Sequence, residues 1–204
     1  GNMHDWLTGS NVQELAIKYN LAVVMPNGGN HFYLNGKGTG NKSADYVGTE
    51  LVEYMRRTFG LAKERENTFI GGLSMGGFGA LHTGLQFHEN FGKIIALSSA
   101  LIIHQIQGMR PGAQNEMADY DYYVSVFGDL AQLEGSEKDP EYLMQQLKAQ
   151  GREIPEIYMA CGTEDFLLEN NRQMHEFLVK EHIPVSYQEG PGAHEWGFWN
   201  RYLE

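Results

Sequence analysis

Residues 72–76 form the pattern Gly-x-Ser-x-Gly, with a serine between two glycines. This pattern is typical of a nucleophile elbow, a sharp strand-to-helix turn that exposes the serine hydroxyl at the edge of a sheet. The chemistry would be acyl transfer, with Ser74 as the attacking group and the Met75 backbone N–H as a donor to the oxyanion. Crowding at such a turn predicts that Gly72 and Gly76 must both be glycine. The competing interpretation is a glycine-rich turn that serves only close helix–strand packing.

A serine hydroxyl needs a neighbouring base at neutral pH, and histidine is the usual base. The chain has eight histidines. His194 lies between the last predicted strand and the last predicted helix, where the chain order serine, acid, histidine places the base. We therefore predict His194 as the base and His31 as a residue of the pocket wall. The other six fall on predicted helices or outside the loops that follow strands: His4, His82, His88, His104, His175 and His182.

The acid that orients the base should lie in the loop after residue 161. Two carboxylates, Glu164 and Asp165, occupy that loop, and spacing alone does not choose between them. Capping of the following helix is the competing role for either side chain. No histidine, cysteine or carboxylate cluster has metal-ligand spacing, and no phosphate-binding loop is present, so we predict neither a metal nor a cofactor.

These residues need a scaffold of strands and helices that brings them together. Short apolar segments alternate with helical patterns, which is typical of an α/β domain with a mostly parallel sheet and helices on both faces. A Ser-Asn-Val-Gln capping box at residues 10–13 predicts the first helix, and Asp139 with Pro140 predicts the start of another. The predicted strands are 21–25, 68–72, 93–98, 156–161 and 184–188. The predicted helices are 10–19, one that begins near Ser43 and buries Tyr46, Val47, Leu51 and Met55, 76–88, one from 139, 167–182 and 195–204.

Four loops follow the predicted strands, and ligands of open parallel sheets bind beyond the carboxyl ends of strands. These loops are 27–41, 73–76, 162–166 and 190–194, and the first contains five glycines (28, 29, 36, 38 and 40). Residues 100–138 lack clear periodicity and are rich in tyrosine and acids. We predict one domain over residues 1–204, with a cap around 100–138 in which Tyr120, Tyr122 and Tyr123 cover the acyl site, and with core packing as the alternative role of these tyrosines.

The formal charge of −11, from 15 basic and 26 acidic residues, disfavours nucleic acid and anionic membrane surfaces as partners. No apolar run approaches the roughly 20 residues needed to span a bilayer. The single cysteine, Cys161, lies in an apolar run typical of a core. It is compatible with a reducing compartment, and we take a cytoplasmic location as the expectation.

Several blocks of the chain together resemble the esterase D / tributyrin esterase family of α/β-hydrolases. That family is related to S-formylglutathione hydrolases and to carbohydrate acetyl and feruloyl esterases. The resemblance covers nearly the whole chain and rests on matched blocks in the same order: NMHDWL at 2–7, VVMPN at 23–27, TFIGGLSMGG at 68–77, CGTEDFL at 161–167 and GAHEW at 192–196.

The resemblance implies an α/β-hydrolase fold that hydrolyses short-chain acyl esters without a cofactor. It implies that Ser74 is the nucleophile, selects Asp165 over Glu164 as the acid, makes His194 the base and gives the Met75 N–H to the oxyanion. A small-molecule ester would be the partner, and association into a homo-oligomer is expected of such enzymes. The pocket candidates are His31, Phe32, Tyr33, Trp196 and Trp199, with core packing as the alternative for both tryptophans.

The chain departs from the family at both ends. Similar enzymes begin with further strands and a His-Gly loop that supplies a second oxyanion donor, and their last helix is longer. We therefore expect the chain to be part of a longer protein. Two alternatives stay open: an acetyl or feruloyl esterase for acylated carbohydrates, and a catalytically silent relative that binds ligands or partners.

Overall fold

The structure is a computed structural model and describes residues 2–36 and 41–204. Gly38 and Gly40 of the predicted glycine-rich loop lie outside these ranges. Four parallel strands form one sheet in the order β1-β2-β3-β4, so neighbours along the chain are also neighbours in space. They are β1 Phe69–Leu73, β2 Lys93–Leu97, β3 Glu156–Gly162 and β4 Val185–Gly190. All four confirm strands predicted from the sequence to within two residues.

Helices connect and flank these strands. A π-helical turn, Tyr46–Glu50, joins α3 to α4, and short 3-10 helices cover Arg65–Asn67 and Leu130–Gln132. The α-helices are α1 Met3–Gly9, α2 Val12–Lys18, α3 Ser43–Asp45, α4 Leu51–Phe59, α5 Met75–Gln86, α6 Ile103–Ile106, α7 Tyr120–Phe127, α8 Pro140–Ala149, α9 Leu168–Lys180 and α10 Trp196–Tyr202. No helix within the described ranges is long and apolar enough to cross a membrane.

Alternate residues of the strands feed two cores, one on each face of the sheet. In β2, Ile94 joins the larger core, which also holds buried residues of α5, α8 and α9, whereas Leu97 joins a smaller core with Phe198 and Trp199 of α10. This division follows from the pleat of a strand, in which successive side chains point to opposite faces. Both faces are thus covered, as the predicted α/β architecture requires.

The strand predicted at residues 21–25 is wrong. The segment carries no strand pairing, and Leu21, Val23 and Val24 are between 38% and 43% exposed. A strand exists only when a neighbour supplies its hydrogen bonds, and β1 ends the sheet without a neighbour beyond it among the described residues. The apolar composition alone therefore did not make this segment a strand.

Two helix predictions need correction in detail. The capping box at residues 10–13 does not form: Asn11 and not Ser10 is the N-cap of α2, and the Ser10 hydroxyl donates to the Trp6 carbonyl and accepts from the Val12 N–H at 3.2 Å. The helix after Ser43 does not bury Tyr46, which is 41% exposed, and its fully buried positions are Ala44 and Gly48. The π-helical turn changes which side chains face the core there.

The structure also bears on the predicted helix start at Asp139 and on the segment 100–138. Asp139 caps α8, accepting from the Glu141 N–H at 3.0 Å, with Pro140 as the first helical residue, as predicted. The segment 100–138, which shows no periodicity, contains α6 and α7. Tyr123 and Phe127 of α7 are buried in the larger core, so this segment also contributes to the core.

His104 of α6 joins this helix to two acidic side chains. Its Nδ1 lies 2.8 Å from Glu134 and its Nε2 lies 3.0 Å from Glu141 of α8. Partial burial lowers the pKa of His104, but the hydrogen bonds to Glu134 and Glu141 outweigh burial and raise that pKa above its ordinary value. The protonated imidazole therefore binds both carboxylates in the folded state.

This contact should make stability depend on pH. A raised folded pKa contributes stability that is fully present below the unfolded pKa of about 6.5 and is lost as the pH rises through the folded value. We expect His104→Gln to lower Tm more at about pH 6 than at about pH 9. Thermal unfolding of both proteins at the two pH values measures this, and an equal decrease at both would contradict it.

Candidate active site

The carboxyl ends of the four strands lie along one edge of the sheet because the strands are parallel. Ser74 follows β1, Ser98 follows β2, Asp165 lies three residues beyond β3, and His194 lies four residues beyond β4. The three predicted catalytic residues, 91 and 29 positions apart along the chain, are thus carried by loops of the same edge.

Ser74 occupies a strained turn between β1 and α5. Its φ of 56° and ψ of −121° are unusual for a residue with a side chain, as the elbow pattern predicts. The backbone is held on both sides: the Ser74 N–H donates to Leu97 at 2.9 Å, and the Ala100 N–H donates to the Ser74 carbonyl at 2.9 Å. The strain is therefore supported by the neighbouring strand and the loop that follows it.

Gly72 and Gly76 contribute differently to this turn. A Cβ atom added to Gly72 would lie 2.3 Å from the Gly76 carbonyl oxygen, whereas one added to Gly76 would meet nothing within 4 Å. The prediction that both positions need glycine is therefore correct for Gly72 only. The crowding arises because the backbone of the first turn of α5, at Gly76, lies against β1 at Gly72.

This difference predicts opposite stability effects. Gly72→Ala should lower the free energy of unfolding by roughly 1–3 kcal/mol or more, because backbone would have to move. Gly76→Ala, the matched control, should leave stability unchanged or raise it by up to about 1 kcal/mol, because alanine favours helix over glycine. Denaturant unfolding of the three proteins provides the comparison. Equal destabilisation by both substitutions would show that steric crowding is not confined to Gly72.

Asp165 and His194 form a hydrogen-bonded pair. His194 Nδ1 lies 2.9 Å from Asp165 Oδ2, and Asp165 Oδ1 accepts from the Leu167 N–H at 2.9 Å. The Asp165 side chain is completely buried and that of His194 is 22% exposed. Burial acts to raise the pKa of Asp165, but hydrogen bonds from His194, Leu167 and Ser98 outweigh it and lower that pKa below its ordinary value. The carboxylate is thus charged at neutral pH, and Nδ1–H is the donor.

Glu164 has another position in the same loop. Its carboxylate accepts from the Gly192 N–H, and its backbone N–H donates to the Gly192 carbonyl at 3.1 Å. Hydrogen bonds from Gly192 and Thr163 lower the pKa of this exposed carboxyl. Glu164 therefore ties the loop after β3 to the loop after β4, and among the described residues it makes no hydrogen bond to the His194 imidazole.

Two aromatic rings flank the His194 imidazole. Phe166 lies 4.8 Å away between ring centroids, and Trp199 of α10 meets the imidazole edge to face at 4.9 Å. The Trp199 indole N–H donates to the Ser98 hydroxyl at 2.9 Å, which fixes the ring. The hydrogen bond to Asp165 and the packing of the Phe166 and Trp199 rings thus together set the orientation of the His194 imidazole.

No hydrogen bond joins the Ser74 hydroxyl to His194 among the described residues. Rotation about one side-chain bond can redirect the Ser74 hydroxyl. Because Nδ1 of His194 is bound to Asp165, Nε2 is the imidazole nitrogen that remains to accept from the serine. Hydrogen bonds between catalytic groups often tighten only when substrate binds. The arrangement is therefore a hydrogen-bonded carboxylate–imidazole pair at the same sheet edge as a half-buried serine, rather than a closed chain of three.

A cavity of about 340 Å³ opens beside Ser74 and Met75. Met75, the first residue of α5, contributes an N–H for which the described part of the chain provides no acceptor, and such a helix N-terminal donor suits a negatively charged oxygen. The other lining residues are Asn30, Phe32, Ala100, Met117, Ala118, Asp119, Tyr122 and Tyr123.

Of the five predicted pocket residues, Phe32 lines this cavity and the other four do not, Trp199 being the ring that packs on His194. His31 is exposed and is not part of the lining. The Tyr33 ring fills the space beside Gly28 and Gly79, where no side chain could fit. Trp196 packs edge to face on Trp6 and Trp199, so it supports α10.

Tyr122, which was predicted to cover the site, lines the cavity, and its hydroxyl donates to the Asn30 carbonyl at 3.3 Å and to the Asn30 side chain at 3.2 Å. Other lining residues were not predicted from the sequence. Residues 117–119 precede α7 and carry no pattern that sets them apart. Their place in the lining results from packing of α7 against the loop at residue 30, which sequence spacing does not reveal.

No group of three or more histidine, cysteine or acidic side chains is arranged to hold a metal ion in ranges 2–36 and 41–204. Cys161 is fully buried, and burial raises the pKa of its thiol to about 12.

Comparison with known proteins gives concordant matches. The Esterase family model, described as “Putative esterase”, matches residues 2–204. An acetyl esterase from Caldicellulosiruptor saccharolyticus is 50% identical over 203 residues, which is 100% of this chain and 76% of that protein.

Solved structures agree with this match. The fluorophosphonate-binding serine hydrolase F of Staphylococcus aureus superimposes with a TM-score of 0.86 at 28% identity, and the S-formylglutathione hydrolase of the same organism with 0.84 at 27%. Each match covers 100% of this chain and 76% of the other. A ferulic acid esterase, at 21% identity and a TM-score of 0.71, shares the fold.

Proposed function

Because the chain belongs to the esterase family and has the α/β-hydrolase fold of a carboxylic ester hydrolase, we propose that it cleaves short-chain esters through an acyl-enzyme on Ser74. The observation that carries this proposal is the 2.9 Å hydrogen bond between His194 and the buried Asp165, at the same sheet edge as the strained serine. A carboxylate that fixes the imidazole tautomer is what activation of a serine requires.

In the first half of the reaction, Nε2 of His194 takes the Ser74 proton while the serine oxygen bonds to the ester carbonyl carbon. The carbonyl oxygen becomes an anion that accepts from the Met75 N–H at the start of α5. His194 then gives its proton to the alcohol oxygen, and the bond between that oxygen and the acyl carbon breaks. The acyl group remains on Ser74.

In the second half, water replaces the alcohol. His194 takes a proton from the water, whose oxygen attacks the acyl carbon, and the same N–H binds the new oxyanion. The proton passes to the Ser74 oxygen as the carboxylic acid leaves. Asp165 stays ionised throughout, and its charge stabilises the imidazolium in both halves.

The cavity supports a small acyl group. Its volume of about 340 Å³ adjoins Ser74, and its apolar walls include Phe32, Ala100 and Met117. Such walls bind a short hydrocarbon chain and leave the ester oxygen near the helix N-terminus. The 50% identical relative is an acetyl esterase, which favours acetate as the acyl group here.

Hydrolysis of nitrophenyl esters with two, four and eight acyl carbons tests this function. We expect kcat/KM to be highest for the acetate or butyrate ester. A marked preference for acetylated or feruloylated sugars over simple acetates would favour a carbohydrate esterase instead. Absence of turnover with every ester would favour a relative that only binds ligands.

A further inference from the structure

Ser98 is a fully buried serine to which the proposed reaction assigns no step. It follows β2, which pairs with the strand before Ser74 on one side and with the strand before Asp165 on the other. Its φ of 43° is uncommon for a residue with a side chain. The Ser98 N–H donates to the Ala160 carbonyl at 2.8 Å, so the backbone is held in this conformation by β3.

The neighbouring backbone is fixed as well. Asn171 of α9 accepts from the Ser99 N–H at 3.1 Å and donates to the Ser99 carbonyl at 3.0 Å. Asn171 is itself completely buried. The position of the Ser98 hydroxyl is therefore determined by β3 and α9 together.

Hydrogen-bond roles around this hydroxyl follow from the chemistry of its neighbours. The Trp199 indole N–H, which can only donate, lies 2.9 Å from Ser98 Oγ, so Ser98 is the acceptor in that bond. The hydroxyl proton remains for a second partner. The Asp165 carboxylate, which can only accept, is one group near this proton, since Ser98 acts to lower the pKa of that carboxyl.

Ser98 also acts to lower the pKa of the Cys161 thiol, so this sulfur is the other nearby acceptor. Its thiol is neutral at ordinary pH because burial raises its pKa to about 12. An ionised carboxylate is a much stronger acceptor than a neutral sulfur, and a buried carboxylate without donors is costly. The Ser98 proton is therefore directed to Asp165.

We propose that Ser98 is a positioning residue that holds both sides of the Asp165–His194 pair, an inference that rests on the proposed function. Its hydroxyl proton fixes the carboxylate, and its oxygen fixes the Trp199 ring, which packs edge to face on the imidazole. Ser98 does not line the cavity beside Ser74, so it acts on the acid–base pair and not on substrate binding.

Four variants test this role: Ser98→Ala, Ser98→Gly, Ser99→Ala and Ser74→Ala. Ser98→Ala and Ser98→Gly both remove the hydroxyl, but glycine adopts the positive φ without strain. Ser99→Ala is the matched control, because Ser99 is equally buried and its hydroxyl has no hydrogen-bond partner. The measurements are kcat and KM for nitrophenyl acetate, well below each protein's Tm.

We expect both Ser98 variants to lower kcat by about 10- to 100-fold, the usual effect of losing a hydrogen bond to a charged group, with KM within about threefold of wild type. Ser99→Ala should retain kcat. Wild-type kcat in Ser98→Gly, or an equal loss in Ser99→Ala, would overturn the inference, because the effect would then be one of backbone or packing. If Ser74→Ala retains the activity of the wild type, the proposed function itself fails, and this outcome is distinct from the others.

Discussion

Ser74→Ala is expected to lower kcat for nitrophenyl acetate by roughly 10⁴-fold or more, because no acyl-enzyme can form without the hydroxyl. The residual rate would come from substrate binding and the oxyanion donor alone. Steady-state kinetics of wild type and variant measure the effect. Comparable turnover by the two proteins would exclude Ser74 from the reaction.

The fold should survive this substitution. The elbow conformation at residue 74 is held by backbone hydrogen bonds to Leu97 and Ala100, and alanine leaves them intact. We therefore expect a Tm close to that of wild type, so that loss of activity reports chemistry and not unfolding. A large decrease in Tm would instead show that the hydroxyl itself supports the turn.

Asp165→Asn should produce the second-largest effect, a decrease in kcat of about 10⁴-fold, as a wrong imidazole tautomer does in serine enzymes with this arrangement. The amide can donate to Nδ1, which places the proton on Nε2 and leaves no base for Ser74. Steady-state kinetics with nitrophenyl acetate measure the change.

Glu164→Gln is the matched control for this substitution. It removes a charge one residue away and keeps an oxygen that can accept from the Gly192 N–H. We expect less than about a tenfold loss of kcat, in line with a neutral hydrogen bond of about 1 kcal/mol. Equal losses in the two variants would mean that the loop, and not the Asp165–His194 contact, carries the effect.

The lowered pKa of Asp165 has a further consequence for acid stability. A depressed folded pKa contributes stability above the ordinary value of about 3.9, and this contribution is lost as the pH falls through the lower folded value. The carboxylate therefore stays charged over the whole neutral range, where the proposed mechanism needs it.

The local sequence pattern was sufficient to predict the four strands of the sheet and the loops that follow them. Four apolar segments became β1 to β4 because each has neighbours that pair with it, and the elbow at Ser74 has the positive φ that its glycine-flanked pattern indicates. The resemblance to the esterase family is confirmed by the match over residues 2–204. The segment at 21–25 has the same composition but no pairing partner among the described residues, and pairing is a property of the fold and not of the segment.

Contacts between distant residues could not be predicted. Tyr122 reaches Asn30, 92 positions away, and Ser98 accepts from Trp199, 101 positions away. The choice between Glu164 and Asp165 as the imidazole partner depends on side-chain direction in one turn, which spacing left open. Trp196 and Tyr33 are aromatic residues near the site in sequence, yet packing against Trp6 and Gly79 directs them elsewhere.

Covalent labelling with a fluorophosphonate tests the assignment of Ser74 as nucleophile most directly, because the probe reacts only with an activated hydroxyl. After incubation, intact mass should show one adduct per chain, and peptide mass analysis should place it on Ser74. Ser74→Ala should take up no label, and Asp165→Asn should react far more slowly. An adduct on another residue, or none on folded wild-type protein, would contradict the assignment.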